Sequence, residues 1–576
     1  MPRGTAVVSA KRLAMDHSSP RSAAQPTSHH RRGAVPDPSP PNVCLLSNGR
    51  YGVVLTEAGG GYSTHDGLDV TRWREDATCD CWGQHCYIRD LDDGRAWSAG
   101  RQPLAGDADD YEAILGPERA VFRRRDADIE TCYEVAVACD ANAEVRRITL
   151  TNHSARPRTL EVTSYAEMAL NHRRADQAHP AFAKLFLQTE TLPTPPALLC
   201  RRRPRARHEK AIWALHVLAG PDAPGIAIGD VEYETDRARF LGRGRSAARP
   251  AALDAGAVLS GTVGPVLDPV LSLRRRIRVE PGTSAVLAFG TATATHRDEA
   301  VALAGRLGDL AEVARMFDQA GIHHQATLAA LAITGEDAAR FLRLASHVVF
   351  TGLALRSRGS VTENELGQSG LWPHAISGDL PIVLVRLASP TELELAGELL
   401  LAHAYWRRCG VAADLVLLND GGPDDELHHR LQHLVRSGPT AGLADKPGGV
   451  FLRAATGMSA RDVGLLEAAA RAILRGNDGS LAAQLERVPN PVTLPADLPT
   501  SGATAAATDG APAAADDELL FANALGGFTP DGREYVVTLR GRERPPAPWS
   551  NVLANHGFGC LITEAGAGYT LSLIHI

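Results

Sequence analysis

Within Thr71-Arg72-Trp73-Arg74-Glu75-Asp76 the chain places two guanidinium groups, an indole and two carboxylates. Groups of this kind hydrogen-bond to sugar hydroxyls and stack on sugar rings. The segment follows a glycine-rich turn, and with Tyr62 and Trp82 it is expected to bind carbohydrate, either lining a glycan groove or reaching a neighbouring domain. The same residues also suit an Arg–carboxylate network with Trp73 in a core. A second constellation lies in Gln368-Ser369-Gly370-Leu371-Trp372-Pro373-His374-Ala375-Ile376-Ser377-Gly378-Asp379-Leu380-Pro381. There Trp372, His374 and Asp379 offer an aromatic platform, a hydrogen-bond donor and a carboxylate. Its alternative is that Ser377 and Asp379 cap a helix entering Pro381-Ile382-Val383-Leu384-Val385, with Pro381 in its first turn.

Other chemistry-bearing residues fall short of a site. Cys79, Cys81 and Cys86 beside His85 are soft ligands, but no second Cys-x-x-Cys pair supplies the convergence zinc needs. Buried thiols are the expectation for them. His428, His429 and His433 share a helical stretch with Asp424, Asp425 and Glu426, which suggests a solvated polar face. Gly242-Arg243-Gly244-Arg245-Ser246 lacks the phosphate-loop arrangement and a βαβ context. No metal is therefore expected.

Alternating runs such as Ile129–Val137, and the pair Val145–Thr151 and Thr159–Tyr165 around a polar turn, predict antiparallel strands. A large β-sandwich is expected over 41–297. Helical periods follow over 298–488. Ser389-Pro390-Thr391-Glu392 opens a stripe of Leu393, Ala396, Leu400 and Ala404, and Ser459–Asp462 opens another through Leu466, Ala470 and Ile473 to Gly476. Residues 489–517, rich in Pro, Ala, Thr and Gly, predict a linker. Residues 1–40 predict a disordered lead-in without a secretory h-region.

An internal repeat organises the C-terminal end. NGRYGVVLTEAGGGYS (48–63) and NHGFGCLITEAGAGYT (555–570) agree at eight of sixteen positions at a constant offset of 507 residues. Residues 518–570 are therefore expected to begin a second β-sandwich. Residues 571–576, Leu-Ser-Leu-Ile-His-Ile, are compatible with one reading frame of a transposase-end sequencing adaptor, so they are expected to be a non-native tail on an interrupted chain.

Of the 576 residues, 44% are hydrophobic and 22% charged, which excludes wholesale disorder. Net charge is −7, which gives no electrostatic case for nucleic acid. Arg outnumbers Lys, 56 to four, a bias that matches GC-rich codons more than guanidinium chemistry. No apolar run reaches the ~18 residues a membrane span needs. Nine cysteines, an odd and sparse set in so long a chain, point to a reducing compartment.

The stretches LLSNGRYGVVLTEAGGGYSTHDGLDVTRWREDATCDCWG, RPRTLEVTSYAEMAL, AHPAFAKLF, QSGLWPHAISGDLPIVLVR, LLFANALGGFTPDGREYVVTL and PAPWSNVLANHGFG together resemble the C-terminal part of cyclic β-1,2-glucan synthases. That part is glycosyltransferase family 36, grouped with the phosphorylases of glycoside hydrolase family 94. The resemblance is collinear over about residues 43–570. It implies a sandwich followed by helices, a second sandwich, and a downstream (α/α)6 barrel, absent here, in which an aspartate acts as general acid while inorganic phosphate attacks the anomeric carbon. No catalytic residue carries over onto this chain. The implied role is that of a fragment of a carbohydrate-active glycosyltransferase or phosphorylase that binds and scaffolds; the alternative is a glycan-binding or architectural module without turnover. The implied partners are β-1,2-glucan or a related β-glucan and a second copy in a homodimer. No cofactor is implied beyond inorganic phosphate or glucose 1-phosphate as co-substrate. The expected location is cytoplasmic, with a complete synthase held at the inner membrane by other regions.

Overall fold

Apolar–polar alternation gives each strand one face for a shared core, and long strands pair in antiparallel ladders. The computed structural model describes residues 40–206, 209, 211–221, 225–487, 519–539 and 543–572. The expected lead-in (except Pro40), the linker 489–517 and residues 573–576 lie outside the described residues. Two sheets form the sandwich. One has nine strands, with Val43–Ser47, Tyr51–Thr56, Gly61–His65 and Leu68–Thr71 running in order into the long central strand Arg158–Asn171. The other has eight strands, centred on Ala143–Asn152 and Ser284–Ala294. Leu46, Tyr51, Leu55, Ile88, Phe122, Tyr133, Ile148, Val162 and Phe289 fill the space between them.

A buried polar network crosses that core. Glu144 accepts from Tyr51 and from Arg146, whose Nη1 in turn donates to the Tyr133 hydroxyl at 2.6 Å. Ser63 and Gln84 also donate to Glu144. Deeply buried charges persist only when paired and fully hydrogen-bonded, and this network meets that condition for Glu144.

Helices cover both outer faces. Arg297–Leu307 and Leu310–Leu331 lie on the eight-stranded sheet through Leu303, Leu307, Val313 and Met316. Gly335–Val349 starts with a capping box: the Thr334 hydroxyl accepts from Asp337 N at 3.1 Å, and Asp337 Oδ2 accepts from Thr334 N at 2.8 Å. Its stripe of Phe341, Ala345 and Val348 lies against Val43, Leu45 and Val54 of the first meander, residues 43–65. Ser346 Oγ accepts from Val43 N at 3.1 Å, which satisfies the free N–H of the sheet edge.

The expected helical region of 298–488 is in fact an α/β unit beyond residue 380. Ile382–Leu387, Asp414–Asn419, Val450–Ala454 and Ala472–Arg475 form a four-stranded parallel sheet with Ile382–Leu387 inside, between Asp414–Asn419 and Ala472–Arg475. Helices Leu393–Arg408 and Glu426–Ser437 pack on one face, and Ala460–Ala469 packs on the other. Pro381-Ile382-Val383-Leu384-Val385 therefore enters a strand, and Ser377 and Asp379 cap no helix. Instead Asp379 N donates to Ser377 Oγ at 3.1 Å in a turn. The helix expected through Ile473 ends at Ala469, after which Ala472–Arg475 is a strand. Ala472–Arg475, a four-residue strand at the sheet edge with alternating burial, is too short to show a period. For Ile382–Leu387 the reason is burial on both faces. A strand covered on both faces is apolar throughout and loses its period-two signal, so a β-branched run looks like a piece of buried helix.

After residue 519 two three-stranded sheets follow. The last, Ser550–Ala554, Phe558–Thr563 and Gly568–Ser572, repeats the first meander strand for strand at the offset of 507, bounds included. Pairing repeats too, with Val43↔Thr56 matched by Ser550↔Thr563 and Tyr51↔His65 by Phe558↔Ser572. Gly61 has φ +139°, and a Cβ there would lie 1.9 Å from the Val54 carbonyl oxygen; at its counterpart Gly568 the distance to the Leu561 oxygen is 2.1 Å. Neither position has room for a side chain. Leu571 and Ser572, expected in the non-native tail, belong to this last strand.

Candidate functional site

The loop after Leu68–Thr71 carries Arg72 inward rather than to solvent. Its Nε and Nη2 donate to Asp176 Oδ2 and Oδ1 at 3.1 and 3.0 Å, and Nη1 donates to Glu167 Oε2 at 3.3 Å. Arg74 Nη2 reaches the same Asp176 at 2.9 Å. Glu167 in turn accepts from Arg237 Nε at 2.7 Å and from the Tyr165 hydroxyl at 2.7 Å. Arg237 continues to Asp268 at 3.4 Å, and Asp268 to Lys184 Nζ at 2.7 Å. A chain of alternating charge thus runs from Arg74 to Lys184. Burial pushes the Asp176 and Glu167 carboxyls up, but their guanidinium partners outweigh it and hold both below the usual range. Groups held ionised in this way accept hydrogen bonds and do not serve as general acids.

Tyr62 and Trp73 are also interior. The rings lie 5.2 Å apart, Trp73 meets Phe350 edge-on at 5.6 Å, and the Arg173 guanidinium stacks 4.0 Å above Tyr62. Arg173 is fixed there by two hydrogen bonds to Asp69, at 2.8 and 3.0 Å. Trp82 is half-buried against the same core, and its carbonyl accepts from Gly61 N at 3.0 Å. Of the first constellation, Tyr62 and Trp73 join the sandwich to the helical layer, Arg72 is tied within the sandwich, and Arg74 and Glu75 keep open edges. Glu75 completes the joint. It accepts from Thr351 N at 2.6 Å and from Arg471 Nη2 at 2.9 Å, both in the second body, the helices and α/β unit of residues 335–487 that follow the sandwich.

The second constellation divides. Trp372 is 61% exposed. His374 Nε2 lies 3.5 Å from Asp462 Oδ2, and its carbonyl accepts from Arg453 Nε at 2.7 Å, so it is tied into the α/β unit. Asp379 is exposed and accepts from Gln368 Nε2 at 3.1 Å. It also meets Arg174 of the sandwich, whose Nη1 lies 3.1 Å from Oδ2 while Nη2 donates 2.6 Å to the Asp379 carbonyl. The Arg174 and Gln368 hydrogen bonds hold the Asp379 carboxyl below the usual range, which removes it as an acid.

Arg174 and Asp176 were not singled out from sequence, yet they bring the two constellations onto one face. The same connection continues into the short helix Pro180–Lys184, which with Leu185, Leu267 and Asp268 lines a groove of about 580 Å³. Phe182 stands half exposed on its wall, held by an edge-on contact with Phe186 at 5.1 Å and by the Arg205 guanidinium at 5.1 Å. The signal was present in AHPAFAKLF, whose aromatic and lysine carry the apolar wall and the polar rim. While Trp372 is exposed on the segment whose Asp379 meets Arg174, Phe182 in the groove, with Lys184 and Asp268, combines a flat apolar face with charged hydrogen-bonding groups. That combination can bind polyhydroxylated rings and has no nucleophile or proton donor poised for bond cleavage.

Among the described residues no group of three or more His, Cys, Asp or Glu is placed to hold a metal ion. His85 Nε2 instead lies 3.1 Å from the Cys81 carbonyl oxygen, and burial draws its pKa down to about 4. Nor is any described helix long and apolar enough to cross a membrane.

Comparison with known proteins agrees with the sandwich. The profile of the family described as "Glycosyl hydrolase 94, supersandwich domain" matches residues 28–310 and 533–573, covering both copies of the repeat. The cyclic beta-(1,2)-glucan synthase NdvB of Rhizobium meliloti (strain 1021) is 34% identical over 560 residues, 92% of this chain and 19% of that protein. The N,N'-diacetylchitobiose phosphorylase of Vibrio proteolyticus is 25% identical over 44% of this chain and 31% of its own length. That of Vibrio furnissii is 29% identical over 27% of this chain and 20% of its own. The chain thus spans about a fifth to a third of the length of these relatives.

Proposed function

Because the chain belongs to the glycosyl hydrolase 94 supersandwich family, we propose that it is the glycan-holding and scaffolding part of a larger β-1,2-glucan synthase or phosphorylase-type enzyme. The observation that supports this reading is the shared face on which Arg174 meets Asp379, with Trp372 and the Phe182 groove exposed on the same two bodies. Its substrate class is a β-1,2-glucan or related β-glucan. Glycosyl transfer or inverting phosphorolysis, with phosphate or glucose 1-phosphate as co-substrate, belongs in this reading to a helical barrel outside these residues. A cytoplasmic setting, with attachment to the inner membrane through other regions, and a homodimer of the complete protein belong to the same proposal.

Affinity electrophoresis tests it. The 576-residue chain should be retarded in gels containing β-1,2-glucan, and Phe182→Ala with Trp372→Ala should restore free migration. No retardation at millimolar glucose equivalents would leave the architectural reading, in which Tyr62, Trp73 and Glu75 serve only to join the two bodies and the Arg72 network to hold the sandwich loop. Incubation with the glucan and phosphate, or with glucose 1-phosphate, should neither consume nor release phosphate.

A further inference from the structure

Arg72, Arg124, Arg146, Arg158 and Arg276 of the sandwich each pair with a carboxylate. Arg202, Arg203 and Arg205, at the end of the strand Ala197–Arg202 and just beyond it, form no ion pair among the described residues. Rings and backbone hold them instead. The Arg205 guanidinium lies 5.1 Å from the Phe182 ring centre and 5.4 Å from that of Phe186, and Arg202 stands 5.5 Å from Phe186. Arg202 Nη1 donates to the Ala183 carbonyl at 3.3 Å and Arg203 Nη2 to the Leu185 carbonyl at 3.2 Å. The carboxylates near them are engaged elsewhere. Asp176 pairs with Arg72 and Arg74, Asp268 with Lys184 and Arg237, and Glu209 accepts the Arg205 backbone N–H at 2.7 Å. Arg202 is 9% exposed, and burial draws its pKa below the usual value; Arg205 adds to the fall, which Glu209 and Asp176 do not offset.

We propose that this rim binds an oxyanion carried on a sugar, a phosphate or carboxylate group, with Arg203 and Arg205 as its donors and the sugar ring along the groove wall of Phe182, Leu185 and Leu267. A guanidinium offers five N–H donors. Capping the last carbonyls of the short helix Pro180–Lys184 and its end takes one from Arg202, one from Arg203 and none from Arg205. Arg203 and Arg205 are exposed, so their remaining donors are open to a ligand. Lys184 also lines the groove, but its charge is met by Asp268. Three like charges gathered without a counter-ion repel one another. An oxyanion relieves that repulsion and accepts paired N–H bonds in the geometry a guanidinium presents. The proposal rests on the reading of this groove as carbohydrate-binding and adds the charge of the carbohydrate.

Isothermal titration calorimetry of the 576-residue chain at low ionic strength tests this. The probes are a β-1,2-linked glucose oligosaccharide, the same oligosaccharide carrying a phosphate ester or with its primary alcohols oxidised to carboxylates, and inorganic phosphate. At least one anionic oligosaccharide should bind about tenfold more tightly than the neutral one, and the gain should shrink in about 0.3 M salt. The tighter of the two identifies the oxyanion. Arg203→Gln and Arg205→Gln should each remove most of the gain, with circular dichroism unchanged. Arg278→Gln, an exposed arginine at the far end of the strand Pro269–Val279 from Asp268, should keep it. Equal affinity for neutral and anionic saccharides overturns the proposal and leaves the glucan reading standing. A gain that survives both rim substitutions, or that Arg278→Gln removes as well, also overturns it, as does inorganic phosphate binding as tightly as the anionic saccharide. Binding of the anionic saccharide alone supports the rim site and removes neutral glucan as its ligand; binding of neither sinks both readings.

Discussion

Arg72 and Asp176 stand 104 residues apart in the chain and meet as a two-point ion pair, both side chains almost wholly buried. Buried pairs of this kind are weak evidence of net stabilisation, but removing one partner strands the other. Arg72→Met should leave Asp176 and Glu167 short of a cation and lower the unfolding free energy by ~3–5 kcal/mol. Arg72→Lys should recover little, because an ammonium cannot reproduce the two-point geometry. Urea titration followed by tryptophan fluorescence checks both, and a loss under ~1 kcal/mol for Arg72→Met would contradict the structural role.

Trp73 and Trp372 were grouped in sequence as aromatic platforms, and the structure separates them. Trp73→Ala should cost ~3–5 kcal/mol, as expected for emptying a core site. Trp372→Ala should change stability by no more than ~0.5 kcal/mol while reducing retardation by glucan. Thermal melts and affinity gels on the same two variants give the comparison; equal melting losses would remove the distinction.

Asp80 has its carboxyl pushed up to about 7, chiefly by burial and further by Glu57 and Asp76, with the nearby Thr56 hydroxyl opposing the shift. A carboxyl with a raised folded pKa binds its proton more tightly in the folded state. Its contribution is fully present below the unfolded value near ~3.9 and is lost as pH rises through about 7. Asp80→Asn should therefore stabilise the chain at pH 8 by ~1–2 kcal/mol and have little effect at pH 4. Asn is also suited to the left-handed backbone there, φ +47°. Stability curves at the two pH values decide it, and a larger gain at pH 4 would reverse the sign argued here.

Glu75 grips Thr351 and Arg471 across the boundary between the two bodies. Glu75→Gln keeps one hydrogen bond and loses the charge opposite Arg471, so a cost of ~0.5–1.5 kcal/mol is expected. Amide hydrogen exchange should rise in Phe350–Gly352 and stay unchanged in Ala143–Asn152. Uniform change across both segments would mean that Glu75 does not act at the joint.

The sandwich was legible because one face of each strand is polar enough to reveal the period, as in Ile129–Val137 with its alternating burial. The repeat was legible because both copies need glycine where the third strand approaches the second strand's backbone, at Gly61 and Gly568. The parallel sheet was not. In Ile382–Leu387 and Asp414–Asn419 nearly every residue is buried, so no alternation remains to be read. The candidate site was half legible. Residue types in Thr71–Asp76 and Gln368–Pro381 announce polar and aromatic work, but whether Arg72 points at solvent or at Asp176 depends on partners about a hundred residues away. Arg174 escaped notice for the same reason, since its partner Asp379 lies 205 residues on.

Two nearly interchangeable meanders in one chain also set a folding problem. The first meander's place on the eight-stranded sheet fits the second in strand length, register and turn. During synthesis the N-terminal copy exists first and occupies that place before its rival emerges. Dilution from denaturant releases both together, and every molecule in which Phe558 fills the seat of Tyr51 must unfold before it can mature. Order of appearance therefore favours the first copy, and so does the Tyr51 hydrogen bond to Glu144, which Phe558 cannot make.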